Sequence, residues 1–263
     1  MKKTSLSIII PAYNESESID HTLTTLRPVR DLLNKTYDVE IIFVNDGSRD
    51  NTADLLSAAI ADDPTMRLVS YTVNKGLGGA IRTGFKEATG DIVVTTDFDG
   101  TYHFDTIPEI VAKLEDSGMD IVNASPYHKD GAVVGVPQYR LLFSYGASLL
   151  YRILVSNRIA TWTALFRAYR QPVIKSVEFE SNDFLAGTEI LVRAIQKGFT
   201  VAEYPTDLHS REFGQSSIRI MKVTAAHLKF QSRLITEAIG IDGLLPDNSQ
   251  VLPHSDLQAK TIK

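Results

Sequence analysis

The chain has 263 residues, 43% apolar and 22% charged, with a net charge of −5 and no cysteine. These values describe an ordinary globular protein with enough length for a sizeable core. They exclude a disulfide framework and a thiolate metal site, and they argue against a nucleic-acid binder that relies on a broadly basic surface.

The apolar pattern predicts a strand over 6–10, a helix over 16–33, a strand over 39–44 and a helix over 51–61. A strand over 67–71, a helix over 77–88 and a strand over 91–95 continue the alternation. This rhythm implies an α/β fold, Rossmann-like, with a mostly parallel central sheet and helices on both faces. Ligands of such sheets sit beyond the carboxyl ends of the strands, and Asn14, Asp46 and Asp97 fall at those ends. A helix over 105–116 and a strand over 119–123 follow. The segment 127–136 holds Lys129-Asp130-Gly131 and Val134-Gly135 without periodicity and reads as a mobile loop. Next come a helix over 138–155, a strand over 164–169, a helix over 184–197, a strand over 200–204 and a long helix over 218–239. In that last helix Ile218, Ile220, Met221, Leu228 and Leu234 alternate with Arg219, Lys222, Lys229 and Arg233. It could lie in a membrane interface, although such helices more often pack on their own domain with a solvated basic face. From Asp242 the chain is polar and irregular, as expected of a tail. The start is too short and polar for a signal-peptide core, and no apolar run approaches the roughly 18 residues of a spanning helix, so a cytoplasmic protein is expected.

The strand Asp91-Ile92-Val93-Val94-Thr95 runs out into Asp97-Phe98-Asp99-Gly100. Two carboxylates one residue apart at the end of a dry strand repel unless a cation lies between them. Mg²⁺ or Mn²⁺ would suit, because hard cations take carboxylate oxygens and keep positions open for phosphate. Alone, the pattern is also that of a solvated turn. Its weight comes from what precedes it. The first strand ends in Pro11-Ala12-Tyr13-Asn14-Glu15, where Asn14 or Ser16 could cap the next helix. The second ends in Asn45-Asp46-Gly47-Ser48-Arg49-Asp50-Asn51-Thr52. Ser48 or Asp50 could cap there, while Asp46 could accept hydrogen bonds from a nucleobase. Asn74-Lys75-Gly76-Leu77-Gly78-Gly79-Ala80 then offers a close-approach backbone and a cation.

In this order and spacing, the four motifs resemble glycosyltransferase family 2, the inverting nucleotide-sugar transferases of the GT-A fold, over about residues 5–240. The nearest branch is the dolichyl- or polyprenyl-phosphate mannosyl- and glucosyltransferases. Arg140-Leu141-Leu142-Phe143-Ser144, Phe166-Arg167-Ala168-Tyr169-Arg170, Glu189 and Arg211-Glu212-Phe213-Gly214 support that branch. The Gln-x-x-Arg-Trp signature of polymer synthases is missing, and the single tryptophan is Trp162. The resemblance implies one domain over 1–240, with a nucleotide half of about 1–100 and an acceptor half of about 101–240, and then a flexible tail over 241–263.

It further implies that Pro11, Tyr13, Glu15 and Asp46 contact the base and ribose, with Lys75 and Gly76 lining the same pocket. Asp97 and Asp99 would hold Mg²⁺ or Mn²⁺ against the diphosphate. Arg140, Ser144 and Arg211 would contact the diphosphate or the acceptor phosphate, which makes Asp99, Arg140 and Arg211 the catalytic set. Metal and arginines together stabilise the charge that develops on the departing diphosphate. Outside the resemblance, Arg140 and Arg211 read as ordinary salt-bridge residues.

The chain departs from the branch at Thr101 (usually glutamine), at Ala124-Ser125-Pro126 (Gly-Ser-Arg), at Thr161-Trp162-Thr163-Ala164-Leu165-Phe166 (Asp-x-Thr-Ser-Gly-Phe) and at Ser217 (lysine). Donor-side motifs are kept and acceptor-side motifs are altered. The expectation is metal-dependent transfer of a hexose, with inversion, from a donor of the GDP-mannose or UDP-glucose type to a polyprenyl-phosphate-like acceptor. The alternatives are a soluble hydroxyl acceptor and a non-catalytic sugar-nucleotide binder. A phosphate acceptor is already an anion and needs no base, whereas a hydroxyl needs one. Asp183 and Glu189, then His103, His128 and His209, are the candidates, and none is assigned.

Overall fold

Period-two alternation decides which face each strand residue meets. Leu6, Ile8 and Ile10 of strand β1 (Thr4–Ala12) join one buried cluster, and Ile9 joins the other. The same split separates Ile41 and Phe43 from Ile42 and Val44 in β2 (Tyr37–Asp46). Both sheet faces are therefore covered, as a doubly wound sheet requires. The computed structural model describes residues 3–211 and 220–238.

Helix α1 (Ile19–Leu33) buries Ile19, Leu23, Leu26 and Leu33 at helical spacing, and α2 (Thr52–Ala59) follows β2. Then come β3 (Met66–Tyr71), α3 (Leu77–Glu87), β4 (Ile92–Thr95), α4 (Ile107–Ser117), β5 (Ile121–Ser125) and β6 (Ala132–Val134). The rest is α5 (Gln138–Leu154), β7 (Arg167–Arg170), α6 (Gln171–Ser176), α7 (Leu185–Gln196), β8 (Val201–Pro205), β9 (Asp207–His209) and α8 (Ile220–Ala238).

Seven strands form the main sheet in the order β3-β2-β1-β4-β7-β5-β8. Every pairing is parallel except those of β7, which runs antiparallel between β4 and β5. The expected mostly parallel sheet is thus observed, with one reversed strand. The expected loop at 127–136 contains β6, which pairs in parallel with β9. Neither three-residue strand is long enough to show a period in the sequence. Helix α6 was not anticipated either. The motif end at 212–217, with Ser217, and the tail expected over 241–263 lie outside the described residues.

The capping expectations change. Neither Asn14 nor Ser16 caps α1, whose N-cap is Ser18. Instead Asn14 sits at φ +55° and its Oδ1 accepts from Arg49 N at 2.8 Å, while its own N–H donates to Ser48 Oγ at 3.0 Å. Asp50 accepts from Ser16 N at 3.2 Å and Thr52 N at 3.0 Å. These polar residues lace the loop after β1 to the loop after β2.

Candidate active site

The register aligns the carboxyl ends of three neighbouring strands: Ala12 lies opposite Asn45, and Ile9 opposite Thr95. Beyond those ends opens a crevice of about 1510 Å³. Pro11, Tyr13, Glu15 and Asp46 line it, together with Lys75 and Gly76. Asp97, Asp99, Ser144 and Arg211 line it too. Arg140 belongs to α5, and its side chain lies outside what the structure describes.

Asp46 is only 3% exposed. One carboxylate oxygen accepts from Tyr71 OH at 2.7 Å and Lys75 N at 2.7 Å, and the other from Asn74 Nδ2 at 2.8 Å. Burial raises its pKa, and the hydrogen bonds from Tyr71, Lys75 and Gly76 pull against that rise. Asp46 therefore holds the 74–76 turn in place, with much of its accepting capacity already used by the protein. The Lys75 ammonium lies 4.3 Å from the centre of the Tyr71 ring.

The glycines of this turn answer to a close neighbour. Gly76 has φ +80°, and a Cβ there would fall 2.0 Å from Asn182 O. A Cβ on Gly78 would fall 2.0 Å from Ser181 O, and Gly78 N donates to Asn182 O at 3.0 Å. The turn leans on a strap of residues 179–183 that the sequence reading missed. Arg82 grips the strap through Phe179 O at 3.1 Å and Asn182 Oδ1 at 3.1 Å. Glu189, 2% exposed, grips it from the other side by accepting from Glu180 N at 3.2 Å and Ser181 N at 2.9 Å. Glu189 thus anchors the strap. Asp183 lines the crevice, and its Oδ1 accepts from Leu185 N at 3.0 Å.

Of the other candidate bases, His103 and His209 meet ring to ring with centroids 4.4 Å apart, and only His209 lines the crevice. His128 faces Asp130 at 3.5 Å.

At the end of β4, Arg211 forms an ion pair with Glu15, and its Nε lies 3.3 Å from Asp99 Oδ2. Asp99 Oδ1 also accepts from Thr101 N at 3.1 Å. Burial raises the Glu15 pKa against the opposing pull of Arg211. Burial, then the charges of Asp99 and Glu15, push Asp97 up to about 7 despite Arg211. This crowding of carboxylates is what a dication would relieve. Among the described residues no group of three or more acidic, histidine or cysteine side chains is spaced to ring a metal ion alone. Two carboxylates facing an open crevice fit a hard cation that completes its shell from phosphate and water.

On the far wall, Ser144 Oγ lies 2.6 Å from Thr163 Oγ1. Thr161, where the branch carries an acid, lies 2.9 Å from Ser125 Oγ through its hydroxyl and accepts from Tyr127 N at 3.2 Å. The irregular segment around it is fixed from beneath. Fully buried Arg167 donates to Trp162 O at 3.0 Å and Asn123 Oδ1 at 2.6 Å, and Glu203 accepts from Ala160 N at 2.8 Å and Thr161 N at 3.0 Å. From α8, His227 and Gln231 complete the wall, contributions that nothing in the local sequence marks.

The family model described as glycosyl transferase family 2 matches residues 7–177. An undecaprenyl-phosphate mannosyltransferase of Micrococcus luteus is 30% identical over 216 residues, covering 80% of this chain and 86% of that protein. A dolichol-phosphate mannosyltransferase of Pyrococcus furiosus is 32% identical over 81% of this chain, which spans only 59% of that relative. An undecaprenyl-phosphate 4-deoxy-4-formamido-L-arabinose transferase of Yersinia enterocolitica is 30% identical over 84% of this chain and 65% of its own length. In three dimensions, glucosyl-3-phosphoglycerate synthase of Mycobacterium tuberculosis, crystallised with Mn²⁺, UDP and glucosyl-3-phosphoglycerate, superposes with a TM-score of 0.66. That match covers 93% of this chain and 82% of the other at 20% identity, and shows a shared GT-A fold.

Proposed function

The chain belongs to glycosyl transferase family 2, and we propose that it moves a hexose, with inversion, from a nucleoside diphosphate sugar to a polyprenyl-phosphate-like acceptor. The observation that carries this reading is the convergence of Glu15, Asp97, Asp99 and Arg211 beside the turn that Asp46 holds. Acceptors named for the relatives, undecaprenyl phosphate and dolichol phosphate, support the acceptor class.

In this reading residues of about 1–100 bind the nucleotide and those of about 101–240 receive the acceptor. Pro11, Tyr13, Lys75 and Gly76 enclose the base and ribose, with Asp46 fixing the turn. Asp97 and Asp99 would hold Mg²⁺ or Mn²⁺, and the Mn²⁺ in the crystallised neighbour supports a divalent ion. When bound, the ion would clamp the diphosphate and offset its growing charge. Arg211 and Arg140 add positive charge to the departing diphosphate, and Ser144 donates to a phosphate oxygen. An acceptor phosphate oxygen attacks the anomeric carbon. The carbon–oxygen bond to the diphosphate breaks, and its electron pair leaves on the nucleoside diphosphate. The nucleophile is already an anion, so no base takes a proton, which agrees with each Glu189 oxygen accepting from a backbone N–H of the strap.

A hydroxyl acceptor is the second reading, favoured by one observation: Asp183 lines the crevice and could serve as its base. The reading also has the protein work from the cytoplasm, in peripheral contact with a membrane through the helix predicted over 218–239. Met221, Leu228 and Ile235 of α8 are exposed there beside Lys222, Lys229 and Arg233.

Calorimetric titration of GDP-mannose, UDP-glucose and UDP-N-acetylglucosamine, each with Mn²⁺ and with EDTA, tests the donor site. Radiolabelled transfer to a lipid phosphate follows with the donor that binds. Metal-dependent binding of one donor together with organic-extractable product is expected. Absence of binding to every donor would move the non-catalytic reading ahead.

A further inference from the structure

Helix α5 leaves more apolar surface exposed than a helix that merely packs on its own domain. Its inward face is narrow: Ser148 Oγ accepts from Trp162 N at 3.3 Å, and Tyr151 stacks on Trp162 in the core with its OH 3.0 Å from His227 Nδ1. Its outward face is apolar. Tyr139, Leu142, Tyr145, Leu149 and Ile153 are 54%, 70%, 51%, 45% and 74% exposed, and all fall on one stripe. Among the described residues outside α5, Leu32, Leu55, Val73 and Val134 are exposed on separate elements or loops, and Met221, Leu228 and Ile235 form a second, sparser stripe on α8. A continuous stripe of this kind marks an interaction surface.

The charge around it is equally one-sided. Although the chain carries −5 overall, the sequence from Gly131 to Val177 contains no Asp or Glu, while it holds Arg140, Arg152, Arg158 and Lys175 besides buried Arg167 and half-buried Arg170. Neighbouring α8, packed on α5, places Lys222, Lys229 and Arg233 before its single acid, Glu237. Among the described residues no helix is long and apolar enough to cross a membrane. A stripe with these properties can lie in an interface without spanning it.

We propose that the outer face of α5, flanked by the basic residues of α8, is the surface by which this protein docks on an anionic lipid bilayer. Leu142, Phe143 and Leu150 belong both to the exposed face and to the crevice wall, so the docked face runs straight into the site. An acceptor whose tail stays in the bilayer then reaches Ser144 and the carboxylates without leaving it. The purpose of the surface rests on the lipid-phosphate reading above. Its location rests on the geometry and charge of α5 alone, and it puts the main membrane seat on α5 rather than on the helix predicted over 218–239.

Two arms test this with the full chain. In the first, co-sedimentation uses vesicles of phosphatidylcholine with and without phosphatidylglycerol, on the native protein and on Leu149→Glu/Ile153→Glu, two positions outside the crevice wall. The native protein should bind anionic vesicles, more weakly at high salt, and the double variant should bind them about tenfold or more weakly. Both proteins should titrate donor alike and transfer equally to a short water-soluble isoprenyl phosphate. Failure of that soluble transfer with docking intact would sink the acceptor reading and leave the docking proposal standing. In the second arm, Ile153→Cys gives the cysteine-free chain a single site for an environment-sensitive dye. A blue shift on adding anionic vesicles is expected. Docking is overturned if native protein ignores anionic vesicles or if the double variant binds as well as native. It is also overturned if the dye is already shielded without lipid, or if light scattering shows a dimer that the double variant splits, since the face would then be covered by this chain or by a second copy.

Discussion

Arg211 reaches two carboxylates from different strands' ends at once: it pairs with Glu15 after β1, and its Nε lies 3.3 Å from Asp99 Oδ2 after β4. The guanidinium thus ties the segment after β9 to the ends of β1 and β4. Removing it leaves both acids without that counter-charge but keeps Asp97 and Asp99, the carboxylates proposed to hold the metal. Arg211→Ala is therefore expected to lower kcat by roughly a hundred- to a thousandfold, on the scale of losing one preorganised donor to a developing anion. Donor binding with Mn²⁺ should stay within about tenfold. Asp99→Asn should behave in the opposite sense, losing the Mn²⁺ dependence of donor binding itself. Calorimetry alongside single-turnover kinetics separates the two, and an Asp99→Asn protein that still binds donor only with metal would refute the assignment.

Carboxylate crowding also predicts a stability effect of metal removal. Asp97 is pushed up to about 7 by burial and by Asp99 and Glu15. A carboxyl raised in this way stabilises the fold at pH below its ordinary value and loses that contribution as the pH rises through about 7. In EDTA, Tm should fall by this route as the pH rises from about 5 to about 8, across the folded-state value of about 7. Mn²⁺ should restore Tm at the alkaline end, and Asp97→Asn should flatten the dependence and abolish the Mn²⁺ effect. A pH profile of Tm that is the same with and without Asp97 would count against the crowding.

The strap at 179–183 offers a test that separates anchoring from catalysis at Glu189. Glu189→Gln replaces one accepting oxygen with an amide that faces a backbone N–H. It should cost about 1–3 kcal/mol of stability, the usual penalty for an unsatisfied buried group. Because Gly76 and Gly78 lean on that strap, donor KM should rise too. The shape of the kcat pH profile should not change. Loss of a pH limb would instead identify Glu189 as a base.

Much of this was legible from short-range pattern. The alternation through Leu6 to Ile10 gives both faces of β1, and the acids and glycines at strand ends mark the crevice because side chains there have nowhere else to point. What was not legible depends on long-range partners. The Arg211–Glu15 pair joins positions 196 residues apart. The hydrogen bonds that Tyr71, Asn74 and Lys75 give to Asp46 are likewise seen only once the fold brings the two strand ends together. Helical spacing in α5 is plain from the sequence, but which of its stripes faces inward is decided by Trp162 and His227, far along the chain.

His227 supplies the last prediction, with the opposite sign to Asp97. It is buried in α8 beside Tyr151 OH at 3.0 Å, and burial lowers its pKa from 6.5 to about 4, with Asp183 opposing the shift. The unfolded chain binds a proton below about 6.5 while the folded chain does not until about 4, so stability falls as the pH drops through that window. At about 1.4 kcal/mol per pH unit the loss amounts to about 3 kcal/mol. Urea titrations at pH 7 and near pH 4.5, about the two ends of the window, should show it. His227→Gln keeps a hydrogen-bonding partner for Tyr151 but cannot take up a proton, so it should be less stable than native at neutral pH and lose little further stability in acid. If native protein and His227→Gln lose the same stability between the two pH values, another group carries the acid limb. Tyr151 and His227 join α5 to α8, so native protein near pH 4.5 should also loosen the crevice wall, read as weaker donor binding that the Gln variant does not share.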